Sequence, residues 1–202
     1  MTSINPQRPF AVIVSDAQIV RDVLHGRTEV FAELVERHHR RVFALALRMV
    51  GNRSDAEDIS QEVFVKLYEN LHKYDPAQPL QNWLLRIASN HTLNWLEKHR
   101  KGKEVLEKEE LGEHRPTLRL ADAAPLPDAR VEQRELNEAL SAALGRLPDN
   151  YRLVVVLKYI EEYTAEEIAE ILGAPRNTVK TWILRARDAL RTELSTSGGM
   201  TL

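Results

Sequence analysis

The sequence predicts an all-α fold of two small helical domains joined by a flexible linker, the second domain containing a helix-turn-helix. Apolar residues recur at helical spacing through the first hundred positions, and strict strand alternation is nowhere sustained. The periodicity then fails from Lys103 to about Arg130, where Pro116, Pro125, Pro127 and the mostly acidic run from Glu104 to Glu113 appear. The expected boundaries are 15–100 for the first domain, 101–130 for the linker and 131–194 for the second, with 195–202 a frayed tail.

In the first domain, Phe31, Leu34, Val35, Val42, Leu45, Ala46 and Met49 share one face of a long helix. Gly51 ends it, because glycine takes the left-handed conformation without penalty. Ser54 is expected to start the next helix, with Glu57 completing a capping box. On that helix Ala56, Ile59, Val63 and Leu67 form the buried stripe, leaving Asp55, Asp58, Glu62 and Glu69 together on another face. Carboxylates at such spacings repel one another, and a basic partner relieves the repulsion; only Lys66 interrupts the run. After the breaker-rich stretch from Tyr74 to Pro79, a helix runs from about Asn82 to Arg100. It carries Arg86, Asn90 and Asn94 on one side and Leu84, Ile87 and Ala88 toward the other. Trp83 and Trp95 are expected to pack inside.

In the second domain, Leu136, Leu140, Leu144 and Leu147 form a stripe that Pro148 breaks. Thr164 and Glu167 then cap a short helix that buries Ile168, Ala169, Ile171 and Leu172. Gly173 and Pro175 supply a tight turn. Beyond it Val179, Ile183, Ala186 and Leu190 point inward, so Asn177, Lys180, Thr181, Leu184 and Arg185 point outward. Between Ala174 and Arg191 five basic residues stand against one acidic residue, whereas the preceding helix carries Glu166, Glu167 and Glu170. Charge is therefore expected to segregate onto the second helix. That geometry suits the major groove: Lys180 and Arg185 can pair with phosphate or guanine edges, and Asn177 and Thr181 can reach bases.

Composition narrows the remaining classes. The formal net charge of -2 requires any nucleic-acid contact to come from local patches. Zero cysteines exclude a disulfide framework, a thiolate zinc site and a cysteine nucleophile, and fit a reducing compartment. The apolar run from Phe10 to Val14 is too short for a signal-peptide core, and no segment approaches membrane-spanning length, so a soluble cytoplasmic protein is expected. There is no phosphate-cradling glycine loop and no pair of histidines at zinc spacing; the adjacent His38 and His39 diverge on a helix. No catalytic residue, metal or cofactor is expected.

Two parts of the chain resemble one family. Leu147 and Pro148, Tyr163-Thr-Ala-Glu-Glu-Ile-Ala-Glu-Ile-Leu-Gly173, Asn177-Thr-Val-Lys-Thr181 and Arg185-Ala-Arg187 resemble region 4 of extracytoplasmic-function (ECF) sigma factors. Asp55-Ala-Glu-Asp-Ile-Ser-Gln-Glu-Val-Phe-Val-Lys-Leu67 resembles the polymerase-binding helix of region 2, and Trp83 to Asn90 with Asn94-Trp95-Leu96 resembles the promoter-melting helix. The resemblance departs from the usual pattern at Leu93 and Trp182, where many relatives carry a basic residue. It implies a promoter-specificity subunit that binds core RNA polymerase and promoter DNA and catalyses nothing itself. Asp55, Asp58, Gln61 and Glu62 would meet the polymerase clamp coiled coil. Arg86, Asn90 and Asn94 would meet an extruded base of the minus-ten element. Arg176, Asn177, Lys180, Thr181, Leu184 and Arg185 would read the minus-thirty-five element on a domain that docks on the polymerase flap. Sequestration by an anti-sigma factor is the family's usual control. The rival is a stand-alone helix-turn-helix regulator with an N-terminal sensor or dimerisation domain, which a palindromic footprint without polymerase would support.

Overall fold

The computed structural model describes residues 14–106 and 140–197, and all regular structure among them is helical. Helix α1 (Asp16–Leu24) is capped by Ser15, whose hydroxyl accepts from the Gln18 amide. A 3-10 turn (Thr28–Val30) leads into α2 (Phe31–Val50), which ends at Gly51 with φ 74° and a 2.8 Å bond from its amide to the Leu47 carbonyl. Helix α3 (Arg53–Asn70) does not begin as expected. The cap is Asn52, whose extended backbone lets its side-chain oxygen accept from the Ser54 and Asp55 amides at 2.8 and 3.3 Å. Asparagine is as strong a cap as serine, so the earlier residue takes the position, and Glu57 pairs with Arg53 at 2.9 Å instead of reaching back to Ser54. Helix α4 (Leu80–Leu106) extends past the expected limits at both ends.

The second group comprises α5 (described from 140 to 146), α6 (Asp149–Val155), α7 (Ala165–Leu172) and α8 (Arg176–Ser197). A π-helical turn (Val156–Ile160) follows α6. The capping box at Thr164 and Glu167 is present as expected, and Gly173 closes α7 with φ 62°. Most of the expected linker, together with Leu136 and the end of the tail, lies outside the described residues.

Leu34, Leu45, Met49, Ile59, Leu67, Leu84 and Leu85 are fully buried in the first group, as are Leu144, Leu153, Leu157, Ile168 and Val179 in the second. Ile183 and Leu190 are half-buried. The buried side chains of both groups form one continuous cluster, because α6 and α7 pack on α2 and α4. Polar contacts fix the packing. The guanidinium of Arg152 donates to the carbonyls of Leu144, Gly145 and Leu147 and, across the groups, of Met49. Arg41 pairs with Glu161 at 2.8 Å, Gln81 donates to the Tyr163 hydroxyl, and Arg100 approaches Asp149 at 3.4 Å. Among the described residues no helix is long and apolar enough to cross a membrane.

Candidate nucleic-acid and partner interfaces

Helix α3 turns Ala56, Ile59, Ser60, Val63, Phe64 and Leu67 inward. Periodicity then places Asp58, Gln61 and Glu62 in solvent, with Asp55 half-buried at the first turn. Glu62 is bounded by His91 of α4, whose Nε2 lies 2.9 Å from the carboxylate without the alignment of a hydrogen bond. Burial holds the His91 pKa below its usual value, against the opposing pull of Glu62. The carboxylate face continues into an apolar one: Val65 is 56% and Tyr68 43% exposed, and Tyr68 meets Phe31 edge-on at 5.1 Å. The sequence reading passed over both residues, although an apolar Val65 two positions off the buried stripe was a visible signal.

Helix α4 buries Leu84, Leu85, Ala88 and Thr92 and exposes Arg86, Asn90 and Asn94 together on one side. Trp83 and Trp95 are half-buried against the core; Trp83 stacks on Tyr74 at 5.6 Å and Trp95 on His99 at 3.6 Å. The loop ahead of the helix is tied by a 2.6 Å bond from the Tyr74 hydroxyl to the Gln78 carbonyl. Arg86 has a second neighbour that its own helix does not reveal. Its guanidinium lies against Gly173, where an added Cβ would stand 2.9 Å from Nη2.

In the helix-turn-helix, Val179 and Ala186 are buried, and Arg176, Asn177, Lys180, Thr181, Leu184 and Arg185 are all exposed. An open groove on this surface is lined by Asn177, Thr178, Thr181, Trp182 and Arg185. The Thr181 hydroxyl is turned back onto the Asn177 carbonyl at 2.8 Å. Leu184, 51% exposed, offers an apolar surface of the kind that contacts a thymine methyl. The expected segregation of charge holds along the chain but not in space. Glu166, at the start of α7, forms an ion pair with Arg176 and lies 3.8 Å from Lys180. Among the described residues no group of three acidic or histidine side chains could hold a metal.

The chain carrying these surfaces matches a known family. The family model for Sigma-70 region 2 matches residues 34–102, and that for Sigma-70 region 4 matches residues 137–190. The chain is 38% identical over 177 residues to the ECF RNA polymerase sigma factor SigW of Bacillus subtilis, which covers 87% of this chain and 94% of that protein. It is 37% identical over 163 residues to ECF sigma factor SigE of Mycolicibacterium smegmatis, covering 81% of this chain and 61% of the relative. Among solved structures, CnrH in complex with the cytosolic domain of CnrY superposes with a TM-score of 0.60 at 28% identity, covering 91% of this chain and 99% of CnrH. With both sigma regions matched in order and SigW aligned over nearly its whole length, this chain belongs to the ECF RNA polymerase sigma factor family.

Proposed function

We propose that this sigma factor directs core RNA polymerase to its promoters through three separate exposed surfaces. The face of α3 bearing Asp55, Asp58, Gln61 and Glu62 docks on the polymerase clamp coiled coil, and the exposed Val65 and Tyr68 extend that contact beyond the carboxylates. Arg86, Asn90 and Asn94 on α4 receive an extruded base of the minus-ten element, since an unstacked base needs donors and acceptors at its edge. Arg176, Asn177, Lys180, Thr181, Leu184 and Arg185 present the N-terminal half of α8 to the minus-thirty-five element, while the rest of that domain meets the flap. The chain binds and positions without catalysing a reaction, works in the cytoplasm where its polymerase is, and is held in check by an anti-sigma factor.

The observation that supports this reading best is the coexistence, on one chain, of an exposed acidic α3 face and an outward polar and basic α8 face. Neither face is needed to fill the core. Transcription in vitro with purified core polymerase tests it: initiation at selected promoters should require this chain. A palindromic footprint without polymerase, together with no stimulation of core, would overturn it.

A further inference from the structure

Among the described residues, Glu166 is the acidic side chain that pairs with the proposed reading surface, and it lies against two of that surface's cations at once. It stands in the first turn of α7, forms an ion pair with Arg176 at the first position of α8, and lies 3.8 Å from Lys180 one turn further on. The side chains of Glu166, Arg176 and Lys180 are all substantially exposed, so the fold does not need the cluster to fill its core. The carboxyl is held below the usual carboxylate range, first by a hydrogen bond from its own backbone amide and then by the two cations.

A carboxylate at the mouth of a DNA-reading helix has two consequences. It repels phosphate, which weakens contact with any sequence, and it holds a flexible guanidinium at one position before DNA arrives. We infer that Glu166 is a specificity-determining positioning residue for the upstream element: it fixes Arg176 for base reading and restrains Arg176 and Lys180 from indiscriminate phosphate binding. This rests on α8 being the promoter reader.

The test uses holoenzyme assembled from core polymerase and the full chain, on a duplex library with a randomised upstream element. Glu166→Gln and Glu166→Ala should bind scrambled duplex more tightly, lower the preference for the selected element by about fivefold at most, the ceiling for an exposed ion pair, and steepen the salt dependence by about 0.9 per phosphate newly engaged. In an Arg176→Ala background the effect of Glu166→Gln on preference should shrink to the part that acts through Lys180. Thermal melting checks that both variants fold. An unchanged preference and salt slope would overturn the inference. So would loss of selectivity for cytosine at a single position with non-specific binding unaltered, since Glu166 would then be reading a base itself. A wild-type holoenzyme with no upstream preference at all would instead overturn the assignment of α8 as reader.

Discussion

Replacing Arg152 with methionine should expose how much of the joint between the two helical groups depends on a single guanidinium. The residue is 8% exposed, and its donors reach the carbonyls of Leu144 at 2.9 Å, Gly145 at 2.9 Å, Leu147 at 3.3 Å and Met49. Three of these bonds, to Leu144, Leu147 and Met49, are buried. A hydrogen bond from a charged donor contributes about 1.5 kcal/mol at the low end, so losing the buried three costs about 4.5 kcal/mol. Against this, burial lowers the Arg152 pKa, opposed only in part by Asp149 at 3.8 Å. Holding that charge in the folded state offsets part of what the bonds contribute, and methionine recovers that part. The net expectation is a loss of a few kcal/mol, a large share of the roughly 5–15 kcal/mol that stabilises a typical domain. Urea unfolding followed by circular dichroism measures it. Tryptophan emission adds Trp83 and Trp95 on α4 and Trp182 on α8 as reporters from both groups. Arg152→Lys keeps the charge but lacks the planar fork that spans several carbonyls, so it should fall between wild type and Arg152→Met. A loss below about 0.5 kcal/mol for Arg152→Met would show that desolvation cancels the bonds and would refute the reasoning.

Four further outcomes are expected. Asp58→Arg, at an exposed position, should leave stability within about 0.5 kcal/mol of wild type yet weaken core polymerase binding, and a pull-down at matched concentrations would reveal equal affinity if α3 were not the interface. Lys180→Ala and Arg185→Ala should each lower promoter affinity of the holoenzyme; a lost phosphate contact reduces the salt slope by about 0.9, whereas a lost base contact costs about 1–3 kcal/mol and relaxes one position. Asn90→Ala should deplete the open complex while sparing the closed one, with rescue on a pre-melted template; an equal defect on both templates with a lowered melting temperature would make Asn90 structural. Because burial holds the folded-state pKa of His91 below 6.5, the unfolded chain takes up its proton first. Stability should therefore fall as pH drops below 6.5, until the folded-state value is passed. Urea midpoints at several pH values should show that part of the fall disappearing in His91→Gln.

Local features were legible because their causes are local. Gly51 and Gly173 end helices with positive φ, Thr164 and Glu167 form their box, and the α3 and α8 periodicities place each candidate residue in solvent or nearly so. The cap of α3 was misassigned because two good cap residues, Asn52 and Ser54, stand two positions apart, and pattern alone does not choose between them. Arg152, Arg41 and Glu161 were illegible for a different reason. Their partners lie on other elements: Met49 is 103 residues from Arg152, and a charged residue inside an apolar run reads as an interruption rather than as a donor to four carbonyls.

The same long-range packing constrains the candidate minus-ten surface. Helix α4 has one face in the core, one face bearing Asn90 and Asn94 in solvent, and a third lying along α6 and α7. Arg86 stands at the border of the last two. Gly173 serves the turn twice there: its φ of 62° favours a residue without a Cβ, and the space that a Cβ would occupy is already filled by the Arg86 guanidinium. On the proposed reading, an arginine seated on the turn between α7 and α8 must leave it before meeting a base. Asn90 and Asn94 carry no such condition, being exposed without a described contact to the second helical group. Variants at the three positions should therefore behave differently. Substitution of Arg86 should perturb the packing of α7 on α4, which substitution of the two asparagines should leave intact, so a defect on promoter DNA without a loss of stability is expected of the asparagines only.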